Sequence, residues 1–78
     1  MDEISYDNYL PVLNSSTLKI EVVPRIDYFK AMETECQEEL MALATSKFKP
    51  IRDTVAKNKN ANETIRRLVK MFNEKLNN

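Results

Sequence analysis

The 78-residue sequence predicts a small, predominantly helical α+β fold in a single domain. Three observations support this fold class. Residues 17–23 alternate between apolar and polar side chains, which is typical of a half-buried strand. Residues 27–48 and 62–76 instead repeat apolar side chains at helical spacing. Pro24 and Pro50 separate these segments, because proline closes a strand and interrupts a helix.

The N-terminal part is predicted to form a strand or a β-hairpin over residues 9–23, after a polar and loosely held segment at 1–8. A short apolar run containing Pro11, which suits an edge strand, precedes a turn cluster at residues 14–16. In the strand that follows, period-two alternation predicts a buried face of Leu18, Ile20 and Val22. The same alternation places Thr17, Lys19 and Glu21 on the exposed face.

A long helix is predicted over residues 27–48, with Asp27 as its cap or Pro24 in its first turn. Its expected core stripe consists of Phe29, Met32, Cys36, Leu40 and Leu43. At Pro50 either the helix kinks or a new helix begins. We favour a new short helix over 50–57, with Ile51 and Val55 facing inward.

The C-terminal helix over 62–76 has the clearest amphipathic pattern in the chain. Its apolar face consists of Ile65, Leu68, Val69, Phe72 and Leu76. Asn60 or Asn62, in the asparagine-rich loop before it, is expected to cap this helix. Glu63 and Arg67 are spaced to form an ion pair across one helical turn.

Composition argues against several classes of function. The chain has no glycine, no histidine and a single cysteine, Cys36. Glycine builds the phosphate-binding loops of nucleotide sites, and histidine is the commonest general base and metal ligand. We therefore predict a protein that is not an enzyme and has no catalytic residues, cofactor or metal site, with Cys36 as a small core side chain.

The expected location is the cytoplasm. No apolar run approaches the roughly 20 residues needed to span a bilayer, and the acidic N-terminus does not resemble a signal peptide. A single cysteine also fits a reducing compartment. The sequence therefore predicts an intracellular protein that does not contact a membrane.

The net charge of zero conceals two oppositely charged halves. The first 39 residues carry nine acids and three bases, and the other 39 carry three acids and nine bases. Such asymmetry is a hint of nucleic-acid binding, self-association or internal neutralisation. If the last helix packs antiparallel on the long one, Lys70 and Lys75 return towards Glu33 and Glu35.

The favoured functional hypothesis is a small protein-interaction module, a homodimer that docks on a protein partner as a regulator, adaptor or inhibitor. Its size is typical of a phage or viral accessory protein. Met41, Phe48 and Met71 are the predicted partner-binding residues, because methionines beside an aromatic ring suit adaptable protein surfaces. A second core layer is the alternative interpretation of the same three residues.

The alternative function is nucleic-acid binding by the basic C-terminal half. Basic side chains there would neutralise phosphates, although no array for base recognition is apparent. The candidate residues are Lys57, Lys59, Arg66, Arg67 and Lys70. An ordinary solvated helix face would give the same pattern.

Overall fold

The computed structural model describes residues 8–14 and 17–76. Strands β1 (Tyr9–Asn14) and β2 (Lys19–Pro24) pair antiparallel as a hairpin. Four helices follow, namely α1 (Arg25–Glu33), α2 (Gln37–Ala44), α3 (Lys49–Lys57) and α4 (Glu63–Leu76). The predicted small α+β fold is therefore confirmed. Residues 1–7, most of the segment predicted to be loose, lie outside the described part of the chain.

Helix α3 is the central element of the fold. It packs against the other three helices and against both strands. Its Ile51 and Val55 are fully buried, as predicted. Fully or nearly fully buried side chains from the surrounding elements complete the core, namely Val23, Ala31, Leu40, Leu43, Ala44, Ala61, Ile65 and Val69.

The helix predicted over 27–48 is in fact two helices, because the chain leaves the helical conformation at Thr34–Cys36. Thr34 is extended, with φ −64° and ψ 146°, and Cys36 is extended as well. The Thr34 hydroxyl accepts a hydrogen bond from the Cys36 N–H at 3.1 Å and donates one to Glu39 Oε1 at 2.6 Å. A threonine that bonds locally in this way competes with helix continuation, and here it favours a new helix start.

This break also changes the predicted core stripe. The helix restarts at Gln37, so the rotation of about 100° per residue along α1 does not continue into α2. Leu40 and Leu43 are buried as predicted. The prediction is wrong for the other three members of the stripe, because Phe29, Met32 and Cys36 are exposed. Ala31 is the residue of α1 that is fully buried instead.

The second half of the chain follows the predicted elements closely. Helix α3 begins at Lys49 with Pro50 in its first turn, so the proline starts a new helix. Asn62 Oδ1 accepts a hydrogen bond from the Ile65 N–H at 2.9 Å, which is the predicted cap of α4. Ile65 and Val69 are buried. The pair Glu63–Arg67 is formed, with Arg67 Nη2 2.9 Å from the carboxylate.

Candidate protein-docking surface

The register of the hairpin determines which side chains face the helices. Residues directly opposite each other in an antiparallel pair share one face of the sheet. One set of opposed pairs contains the buried residues Asn14 and Val23 and faces the core, namely Leu10–Val23, Val12–Glu21 and Asn14–Lys19. The alternate set faces away from the core, namely Tyr9–Pro24, Pro11–Val22 and Leu13–Ile20.

Glu21 lies on the inward face because polar partners meet it there. Asn14, which is buried, donates a hydrogen bond from Nδ2 to Glu21 Oε2 at 2.6 Å. The Glu21 carboxylate also acts on the buried guanidinium of Arg52 in α3. Burial lowers the pKa of Arg52, and the negative charges of Asp53 and Glu21 oppose that shift. Glu21 therefore helps to stabilise a charge that burial penalises.

This inward position of Glu21 reverses the predicted faces of β2. Ile20 and Val22, predicted to be buried, are 62% and 58% exposed. Leu18, predicted to lie beside them in the core, is 77% exposed in the turn. The prediction of the buried face is therefore wrong, since the packed face of β2 is the one that carries Glu21 and Val23.

The outward side of the hairpin is a continuous apolar surface. Its members are Tyr9, Pro11, Leu13, Leu18, Ile20 and Val22, which we call the hairpin face. Exposed hydrophobic residues are common singly, but a contiguous group marks an interaction site far more often. The register places Tyr9, Pro11, Leu13, Ile20 and Val22 side by side across the two strands, and Leu18 lies in the turn at the end of the hairpin.

Leu18, in the turn at the end of this surface, has an unfavourable backbone conformation. Its φ is 60°, in the left-handed region that a leucine side chain disfavours. Its N–H donates to the Asn14 carbonyl oxygen at 2.7 Å, which closes the turn. In a chain without glycine, this left-handed position is occupied by leucine, a large apolar residue that is exposed there.

A shallow, partly apolar groove also lies on α1. It has a volume of about 460 Å³, and Ile26 and Phe29 supply its apolar wall. Lys30 and Glu39, on its polar side, pair with each other at 3.6 Å. The Thr34 hydroxyl, followed by the charge of Lys30, lowers the pKa of Glu39, and desolvation opposes them. These two charged groups are therefore occupied with protein partners instead of converging on a ligand.

The three residues predicted to bind a partner have different environments. Met41 and Met71 are 46% and 61% exposed on α2 and α4, two helices that pack on each other. Phe48 is half-buried against the core, with the Lys47 ammonium 5.3 Å from its ring centre. Phe48 therefore contributes to core packing, whereas a binding role for Met41 and Met71 stays a prediction.

The candidate nucleic-acid residues on α4 are exposed but partly engaged. Arg66, Arg67 and Lys70 all face solvent. Arg67 pairs with Glu63, and Arg66 Nε donates to the Ala56 carbonyl oxygen at 3.2 Å. Two of these three candidate residues therefore already have partners in the protein.

Lys57 and Lys59 lie among acidic residues. They line a cavity of about 430 Å³ together with Glu33 and Glu35. The two charged halves of the sequence thus meet at this point. Helix α4 packs on α2 and α3, so Lys57 and Lys59 occupy the place beside the glutamates that we expected for Lys70 and Lys75.

Two further features of the described residues concern metal binding and membranes. Within residues 8–14 and 17–76, no group of three or more cysteine, aspartate or glutamate side chains is placed to hold a metal ion. In the same part of the chain, no helix has the length and apolar character needed to cross a bilayer. Cys36 is exposed at the start of α2, not in the core as predicted.

The hairpin face was not predicted from the sequence, although one pattern indicates it. Residues 9–13 are apolar without interruption, which is typical of a strand covered on both sides. Period-two alternation in β2 indicated the face of Ile20 and Val22, because Lys19 and Glu21 on the other side are polar, and here that pattern was misleading. The uninterrupted run in β1 was the better guide to a second apolar face.

Comparison with known proteins adds no assignment. Searches with protein-family models, against curated proteins and against solved structures find no match to this chain. Inference about function therefore depends on the chemistry and geometry of the hairpin face.

Proposed function

We propose that this chain is a non-enzymatic protein-interaction module that docks a protein on its hairpin face. The observation that carries the proposal is the two-sided apolar character of β1. Leu10 and Val12 pack against the core, while Tyr9 and Leu13 point away from it and remain about half exposed. A strand with two apolar faces is typically packed on both sides, and in β1 the helices pack against one of the two faces.

The hydrophobic effect provides the driving force for this docking. Burial of apolar surface contributes roughly 25 cal/mol per Å², so covering several large side chains is strongly favourable. Ile20 and Val22 favour binding further, because their β-branched side chains are already restricted in rotamer and lose little conformational entropy on binding. The chain would then act by occupying a partner's surface, as a cytoplasmic regulator, adaptor or inhibitor does.

The test compares two matched double variants with the wild-type chain. Ile20→Ser/Val22→Ser removes apolar surface from the hairpin face, and Met41→Ser/Met71→Ser removes a similarly exposed pair elsewhere. Each immobilised chain is incubated with extract of the native host, and retained proteins are purified and titrated individually. We expect a partner whose affinity falls at least tenfold with the hairpin variant and is unchanged with the methionine variant. Equal affinity for all three chains contradicts the proposal.

Nucleic-acid binding stays the alternative, and Arg66 and Lys70 on the exposed side of α4 are the observation in its favour. Glu33 and Glu35 beside Lys57 and Lys59 weigh against it, because carboxylates repel phosphates. A titration with duplex DNA at low salt discriminates between the functions. Affinity that falls with salt and is reduced by Arg66→Gln/Lys70→Gln would favour the alternative.

A further inference from the structure

We propose that the partner seated on the hairpin face is a second copy of this chain, with hairpin packed on hairpin about a two-fold axis. This inference rests on the proposed function, because it names the occupant of the same surface. Three observations support it, namely the area of the face, its lack of charge and the chemistry of its strand edge.

The area of the face matches what a stable dimer needs. Five of its side chains are between 44% and 77% exposed, namely Tyr9, Leu13, Leu18, Ile20 and Val22. If a large residue carries about 200 Å² of accessible surface, these five present on the order of 600 Å². Two copies would then bury on the order of 1,200 Å², above the ~1,000 Å² expected of a biological interface.

The face is also able to pair with itself. In a two-fold interface the same patch serves both copies, so each side chain meets an identical or neighbouring residue of its own patch. All members of the hairpin face are uncharged, so no like charges oppose each other when two copies meet. The only polar group that its side chains bring is the Tyr9 hydroxyl, at one end of the register.

Sheet geometry favours contact through the face over contact through the edge. Pro11 lies within β1 and has no N–H to donate, and proline inside a sheet is confined to edge strands. Such an edge is a poor template for strand addition. Two stacked sheets lie about 10 Å apart, with side chains of both inner faces interdigitating. Stacking therefore covers the surface that edge pairing would leave exposed.

Sedimentation of the full chain at several concentrations tests this proposal. From about 1 µM to 1 mM, we expect wild type to pass from 9.1 kDa towards twice that mass. Ile20→Lys/Val22→Lys should raise the dimer dissociation constant at least tenfold, because each lysine must be desolvated at the interface. Met41→Lys/Met71→Lys tests the competing interface on α2 and α4, and we expect the dimer dissociation constant of that variant to equal that of the wild type.

A second measurement applies if the double lysine variant loses its fold, as judged by circular dichroism. Val22→Cys in a Cys36→Ser background places a thiol on the hairpin face, and Met71→Cys in the same background is the control. Under mild oxidation we expect a covalent dimer from the first chain and much less from the second.

The possible outcomes separate this inference from the proposed function. A wild-type chain that stays at 9.1 kDa throughout overturns the dimer. If that monomer still binds another protein through Ile20 and Val22, the proposed function stands and only the second copy is excluded. A dimer weakened by the methionine variant and not by the hairpin variant would overturn the inference and move the interface to α2 and α4.

Discussion

Asn58 donates a hydrogen bond from its side-chain amide to the backbone carbonyl oxygen of Thr34, 3.0 Å away and 24 residues earlier in the chain. The same amide donates to the Ala31 carbonyl oxygen at 3.1 Å, and its oxygen accepts from the Asn60 N–H at 2.7 Å. A buried asparagine therefore bonds carbonyl groups at the end of α1. The end of α3 and the break between α1 and α2 stabilise each other.

The first prediction concerns this buried amide. Asn58→Ala should lower the free energy of unfolding by about 1–3 kcal/mol, because the two carbonyl groups lose a partner in a buried setting. Urea denaturation measures the change. Asn60→Ala is the control, since the Asn60 amide contributes one longer bond to Thr34, at 3.3 Å. An Asn58→Ala chain no less stable than the Asn60→Ala chain would contradict the role assigned to Asn58.

The second prediction concerns the pH dependence of the break. The Thr34 hydroxyl, with Lys30, holds the pKa of Glu39 below its ordinary value. A carboxyl whose pKa is lowered by folding adds stability that is complete above the unfolded-state pKa, about 4.3 for glutamate. That stability is lost as the pH falls below this value and through the lower pKa of the folded chain. Glu39→Gln should therefore reduce the loss of stability on acidification.

Unfolding midpoints in urea between about pH 6 and pH 3 measure this effect, since the window lies around the ordinary glutamate pKa. Glu38→Gln, an exposed neighbour in the same helical turn, is the matched control. The loss of stability on acidification should be smaller in the Glu39→Gln chain than in the Glu38→Gln chain, because Glu39 is the one of the two that accepts the Thr34 bond. If Glu39→Gln leaves the acid profile unchanged, the Thr34–Glu39 contact does not contribute to folding.

The third prediction concerns the buried guanidinium of Arg52, which joins α3 to two other segments. Its Nε donates to Asn73 Oδ1 of α4 at 2.8 Å, and its Nη1 donates to the Ser46 carbonyl oxygen at 2.6 Å. A lysine ammonium keeps the charge but lacks the planar fork that makes both bonds together. Arg52→Lys should therefore cost about 1–3 kcal/mol in chemical denaturation.

Arg66→Lys is the control for that substitution, because Arg66 is exposed and bonds one carbonyl oxygen of α3. A surface change of this kind is expected to stay within about 0.5 kcal/mol. Equal effects at Arg52 and Arg66 would show that the buried network adds nothing beyond an ordinary surface contact.

The fourth prediction concerns Leu18 and separates folding from binding. Leu18→Gly relieves the left-handed strain, which costs roughly 1–2 kcal/mol for a residue with a side chain, although glycine loses more chain entropy on folding. We expect the free energy of unfolding of the monomer to rise by about 0.5–1 kcal/mol, which thermal denaturation would show as a higher midpoint. The same change removes the most exposed side chain of the hairpin face, so self-association should weaken. Ile20→Gly, in a regular strand, should lower both the stability of the monomer and the strength of self-association.

Local sequence was enough to predict the second half of the chain. Pro50, the Asn62 cap and the Glu63–Arg67 pair act between residues at most four positions apart, so their effects can be recognised without the fold. The amphipathic face of α4 is equally local, since its period belongs to one helix. The charge of each half and the absence of glycine and histidine are also properties of the sequence itself.

Tertiary structure alone decided the break at Thr34–Cys36 and the orientation of the hairpin. A continuous helix suited the spacing of apolar residues, and Asn58 supplied the distant partner that the break needed. The alternation in β2 favoured the opposite phase, but the observed phase turns Glu21 inward, where the buried Asn14 side chain donates a hydrogen bond to it at 2.6 Å. The hairpin face follows from this orientation, because turning Glu21 and Val23 towards the helices leaves Ile20 and Val22 outside.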